Sequence, residues 1–136
     1  MASPPPLPPN GPRSTGSTNL GVAPNVGGLL CYAPCCIGLI FSIVVVIVEK
    51  QNRFLRFHAF QGLLFHAALF VVAVAVQILL TIVGFVSAGL ALIGHMLWLL
   101  IALGILAAEI LLMVKAYNNE EYELPTLGPL ARKYMA

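Results

Sequence analysis

The sequence predicts an all-α integral membrane protein with three transmembrane helices, a short basic elbow between the first and second, and an interfacial C-terminal tail. Three observations carry that expectation. The 136 residues are 60% hydrophobic and 9% charged, with a mean hydropathy of +0.94, whereas about a quarter of a soluble domain's residues are charged. The apolar residues fall into three long runs, about 26–48, 57–83 and 90–117, and about 20 apolar residues suffice to cross a ~30 Å hydrocarbon core. The basic residues, finally, collect at the ends of these runs instead of spreading along them.

Residues 1–24 are rich in Pro, Gly, Ser and Thr. Such a segment has little apolar area to bury, so a disordered tail is expected there, followed by one membrane domain over 25–136. A signal peptide is not expected, because the first apolar run exceeds the ~7–15 residues of a signal's apolar core and no basic start precedes it. Pro34 falls near the start of the first run, where a kink or a late helix start costs least.

The second run carries His58, Gln61, His66 and Gln77 but no Asp, Glu, Lys or Arg after Phe57. It reads as a long, tilted span with a wet first turn. A linker of small residues, Gly84 to Gly94, leads to the third run, which contains Glu109. In the tail, Leu127, Leu130 and Tyr134 would share a helix face beside Arg132 and Lys133, as in a helix lying on the headgroups. With three spans, Lys50, Arg53, Arg56, Lys115, Arg132 and Lys133 stand on one side against Arg13 on the other. The positive-inside rule then gives an inner (plasma) membrane protein with its N-terminus outside and its C-terminus cytoplasmic.

The turn K-Q-N-R-F-L-R-F-H-A-F-Q, Lys50 to Gln61, contains the pattern K-x-x-R-F-x-R-F-H-A-x-Q, here Lys50, Arg53, Phe54, Arg56, Phe57, His58, Ala59 and Gln61. It resembles the turn of a family of small membrane proteins that includes the MamF/MmsF-type magnetosome proteins and is similar to the chloroplast inner-envelope import component. The ending Y-E-L-P-T-L-G-P-L-A, with Tyr122, Pro125, Gly128 and Ala131, and the run L-C-Y-A-P-C-C-I-G-L-I from Leu30 resemble the same family. The resemblance implies three spans and, for most members, no firmer activity. It carries mineral-growth control from the magnetosome members and protein import from the chloroplast relatives as alternatives. The chain departs from the family where Pro129 replaces an acidic residue, and its Gly84–Gly94 linker has no carboxylate to bind iron.

At the elbow, lipid anchoring and topology are the expected role of Lys50, Arg53 and Arg56, with partner docking as the alternative. Phe54 and Phe57 are expected to bury at the membrane interface. His58 and Gln61 stand one helical turn apart and are read as hydrogen-bonding glue to the tail or third span, with a proton relay as the alternative. Glu109, costly within a span unless paired, matches His66 in depth. A His66–Glu109 pair joining the second and third spans is expected, and a proton or cation site is the competing reading.

Cys31, Cys35 and Cys36 are placed near the outer end of the first span, at the same face as His95. Cysteine packs as a small hydrophobe and this spacing matches no zinc pattern, so no metal or cofactor is expected. No catalytic set can be assembled from the sequence, and an enzyme is not expected. A net charge of +2 with clustered cations leaves no nucleic-acid footprint. The function expected is a structural or assembly component of a membrane complex, in contact with anionic lipid at the cytoplasmic face and forming a homo-oligomer or binding a membrane-protein partner. Protein translocation and a small ion- or proton-linked channel or transporter are the alternatives.

Overall fold

The computed structural model describes residues 16–135, all helix and loop. Its elements are α1 (Pro24–Leu30), α2 (Cys36–Val48), α3 (Arg53–Val86), α4 (Ala88–Tyr117) and α5 (Leu127–Met135). Residues 1–15 of the tail expected over 1–24 lie outside the described residues. Within the rest of it, Thr18 Oγ1 donates to the Val22 carbonyl, and Asn19 is held by hydrogen bonds to Glu49 and Val48.

α3 and α4 are long and apolar enough to cross a membrane. Their 34 and 30 residues give lengths of about 51 and 45 Å. They form an antiparallel hairpin on a one-residue junction. Ser87 closes α3 through its N–H to Val83 and opens α4 by accepting the Leu90 N–H with its side chain. Leu80 lies against Gly94 and Gly84 against Ala91 near this junction.

The run expected as a first span is broken into two shorter helices, so two helices, not three, are individually long and apolar enough to cross. α1 is 7 residues and α2 is 13, the latter about 20 Å, short of a ~30 Å core. Between them the chain turns at Cys31–Cys35, where Pro34 removes a backbone donor and Cys35 takes a left-handed φ of 64°. The contacts along α3 give the direction of each arm. Gly27 and Gly28 of α1 lie against Leu55, Phe54 and His58, and Cys31 lies against Gly62. On the return, Gly38 meets His66, Ser42 meets Gly62 and Val45 packs with Leu55 and Ala59. Glu49 then bonds Asn52 at the start of α3. The segment 24–48 is thus a helical hairpin that enters and leaves at one end of the molecule. Its tip lies level with His66, about 20 Å along α3 from Asn52.

Close approach to α3 needs a missing side chain. A Cβ on Gly62 would stand 2.6 Å from the Cys31 carbonyl oxygen and 2.8 Å from Ser42 Oγ. Ser42 turns its hydroxyl to the same Cys31 carbonyl, at 3.2 Å, and so satisfies a group the turn frees from helical bonding.

Burial divides α3 and α4 into two halves. The first four turns of α3 bury Phe54, Leu55, Phe57, His58, Ala59, Gln61, Gly62 and His66, and beyond these only Leu80 is buried. In α4 the buried residues are Ala91 near the junction and Glu109, Leu112 and Ala116 at the far end. A packed head of α1, α2, α5 and the adjoining ends of α3 and α4 therefore continues into a bare two-helix stalk.

Candidate functional site

The polar residues of the head converge on the start of α3. Glu49, completely enclosed, accepts the N–H groups of Asn19 at 2.7 Å and of Gln51 and Asn52 at 2.9 Å each. Asn52 in turn caps α3 by accepting the Leu55 N–H. Burial pushes the Glu49 carboxyl upward, but the backbone donors of Asn52, Gln51, Asn19 and Lys50 outweigh it and hold the group below its ordinary range.

One to two turns along α3 lies a second polar set. Gln61 is fully buried and uses both ends of its amide. Its Nε2 donates to the Tyr32 hydroxyl and to the Tyr122 carbonyl, both at 2.9 Å, while its Oε1 accepts the Leu124 N–H at 3.1 Å. Tyr32 also lies 3.1 Å from His58 Nδ1. The His58 ring is packed edgewise against Tyr32, Phe54 and Phe57. One glutamine thereby joins the hairpin, α3 and the tail, and Tyr32 completes a set for which the sequence reading supplied only His58 and Gln61. The elbow reading is corrected at two residues: Phe54 and Phe57, in the first two turns of α3, are buried against other parts of the protein.

The tail motif explains itself in the same place. Tyr122 supplies its carbonyl to Gln61, and Gly128 lets α5 sit against Glu123 and Gln61 Oε1. Ala131 packs with Phe57 and Met135, whereas Pro125 is exposed. The face of α5 turned to α3 is Gly128, Ala131 and Met135, not the Leu127, Leu130 and Tyr134 face expected to meet headgroups. Tyr134 is exposed. Arg132 bonds Glu121 at 3.0 Å, contacts Glu123 and lies over the Phe57 ring at 4.6 Å. Burial works against its charge, and Glu123 and Glu121 more than offset that effect.

His66 and Glu109 are brought together near the hairpin tip, Nε2 to Oε1 at 3.8 Å, with both side chains buried. His66 Nδ1 lies 2.8 Å from the Gly62 carbonyl. A carbonyl only accepts, so Nδ1 carries hydrogen and Nε2 is left facing the carboxyl. Nε2 itself has no hydrogen-bond partner. At 3.8 Å the contact is longer than a hydrogen bond.

The cysteines occupy this same depth, which corrects their expected place beside His95. Cys31 is buried and Cys35 and Cys36 are exposed, all with free thiols. His95 bonds the Ala91 carbonyl in the second turn of α4. It is therefore about 21 Å along that helix from Glu109, because the hairpin folds the cysteines back from the junction end. Among the described residues no three His, Cys, Asp or Glu side chains are grouped to hold a metal.

On the outer surface, Lys50, Arg53 and Arg56 line the head beside Arg132. Lys50 Nζ bonds the Val46 carbonyl, and Arg56 lies 5.9 Å from the Phe60 ring.

The family profile described as magnetosome magnetite crystal formation protein, MamF/MmsF, matches residues 17–131, from the Asn19 turn to Ala131. The chain belongs to this family. Relatives of the chain are named UPF0132 membrane proteins, and the chain is a membrane protein. One, from Methanocaldococcus jannaschii, is 35% identical over 122 residues, covering 88% of this chain and 94% of the relative. A second from the same organism is 34% identical, over 85% of this chain and 72% of its own length. One from Archaeoglobus fulgidus is 28% identical, over 80% and 92%. No solved structure matches.

Proposed function

We propose that the chain is a non-enzymatic scaffold of the membrane, with two spans, α3 and α4, and a re-entrant hairpin, α1–α2, that dips in from the cytoplasmic face and returns. The observation that carries this reading is the division of α3 and α4. Polar groups of the head are spent on tying the hairpin and tail to α3, while the stalk turns large apolar side chains outward along both helices, with Phe70, Ile78, Phe85, Leu92 and Leu100 all more than half exposed. A surface of that kind serves lipid or another membrane-embedded surface, and a homo-oligomer or a membrane-protein partner is the fitting occupant.

The orientation follows from charge. Lys50, Arg53, Arg56, Lys115, Arg132 and Lys133 belong to the head, and the Ser87 junction has no charged neighbour. The positive-inside rule puts the head at the cytoplasm, with the start of the hairpin on the same side as the tail. The plasma membrane is the proposed location.

A photoreactive residue at Leu100, in the exposed stalk, tests the scaffold. Crosslinks in cells to a second copy or to one dominant membrane protein are expected. Adducts with lipid alone, together with a monomer in mild detergent, would remove the assembly role.

The His66–Glu109 pair beside a broken helical segment favours a second reading, a proton- or ion-linked transporter, since broken helices and intramembrane carboxylates line many transport sites. Proton flux into liposomes that Glu109→Gln abolishes would put this reading first. Crystal growth is supported only by the description of the family, and translocation only by the sequence resemblance. The carboxylates of the 118–126 loop, Glu120, Glu121 and Glu123, are engaged by Lys115 and Arg132 of the same head.

A further inference from the structure

We propose that the head holds the phosphate group of one anionic phospholipid in a cavity between the start of α3 and α5. The cavity is about 370 Å³ and is lined by Lys50, Gln51, Arg53, Arg56, Arg132 and Met135. Four cations, one from the loop before α3, two from α3 and one from α5, therefore face one space. Their compensation is incomplete. Arg132 is paired with Glu121 and Glu123, whereas among the described residues Lys50, Arg53 and Arg56 form no ion pair. Arg56 Nε is shielded from solvent and has no hydrogen-bond partner, a state that costs free energy until an acceptor arrives. Glu49, the nearest acid in sequence, has both carboxylate oxygens engaged by backbone N–H groups.

Guanidinium forks match phosphate oxygens in geometry, and Lys50 adds a point charge. The surroundings select a lipid as the source of that phosphate. Phe60 and Leu64 continue from Arg56 along α3 and pack on the Phe57, Ala131 and Met135 cluster beside the cavity. Ile43, Val44, Ile47 and Val48 of α2 are exposed next to the elbow. A headgroup in the cavity would thus leave its acyl chains on apolar surface. The site goes beyond the diffuse attraction of basic residues for an anionic leaflet, because it needs Arg132 of α5 and a bounded space. It does not depend on the scaffold reading: its test is made in detergent, where partner and topology play no part.

Native mass spectrometry of the full chain, delipidated and titrated with phosphatidylglycerol or phosphatidylcholine, tests it. One tightly retained phosphatidylglycerol per chain is expected, with at least tenfold weaker retention in the Arg53→Ala/Arg56→Ala variant and no change in Lys115→Ala, whose side chain pairs with Glu120 outside the cavity. An Arg53→Lys/Arg56→Lys variant, which keeps the charge, is expected to bind with intermediate strength. Equal loss in Lys115→Ala would reduce the effect to general charge and overturn the site, as would full retention in Arg53→Ala/Arg56→Ala. Displacement of the lipid by millimolar inorganic phosphate would overturn the lipid and assign the cavity to a soluble phosphate.

Discussion

Asn19 and Glu49 are thirty residues apart in the chain and 2.7 Å apart in space, the backbone N–H of the first donating to the carboxylate of the second. Whatever lies between them must leave and return to one end of the molecule. The first prediction follows from this. In a cysteine-free background, single cysteines at Thr18 and at Lys133 are expected to react with an impermeant maleimide from the same side, in inverted but not in right-side-out vesicles. Labelling from opposite sides would restore a continuous first span.

Glu49 also sets a pH dependence. Its folded pKa is depressed, so its contribution is complete above the ordinary carboxylate value of 4.5 and is lost as pH falls through the lower folded value. Glu49→Gln is expected to cost about 1.5–3 kcal/mol at neutral pH, the range for hydrogen bonds to a charged group. The difference from the wild type should shrink well below pH 4.5. Unfolding in detergent at the two pH values measures it, and a difference independent of pH would refute the carboxylate's role as acceptor.

Gln61→Leu removes three hydrogen bonds and leaves the Tyr122 carbonyl and Leu124 N–H without their buried partner. The expected cost is about 1–3 kcal/mol, falling chiefly on the tail. Amide exchange should accelerate at Leu124 and through α5 while the middle of α3 keeps its protection. Uniform acceleration along the chain would show that the tail is not a separate unit.

For His66 and Glu109 the test is coupling. His66→Ala and Glu109→Gln are expected to be non-additive by about 0.6 kcal/mol, a typical magnitude for polar pairs between membrane helices. Additive losses in a double-mutant cycle would mean the two side chains stand near one another without interacting.

Much of this architecture was legible in the sequence. The lengths of α3 and α4 follow from uninterrupted apolar composition, and the His66–Glu109 approach follows from counting residues inward along antiparallel helices. The hairpin was not legible, because hydropathy measures how much apolar chain there is and not whether it runs straight through. Its local signs were present: Gly27 and Gly28, then Pro34, then Gly38 and Ser42 on one face of what would have been a single helix. Glu49 was not legible either, since backbone donors arriving from two segments leave no mark on composition. Tyr32 was hidden in the same way, inside a run whose apolar neighbours gave it no contrast. The tail's small residues, Gly128 and Ala131, read as a motif without a reason until α3 supplied the surface they fit.

Ser87 alone separates two helices of 34 and 30 residues. Among the described residues, the far end of the molecule therefore has no loop that a protease could cut, an antibody could grip or a soluble protein could recognise. On the proposed two-span topology, a partner that senses or recruits this protein meets it at the head or sideways through the lipid.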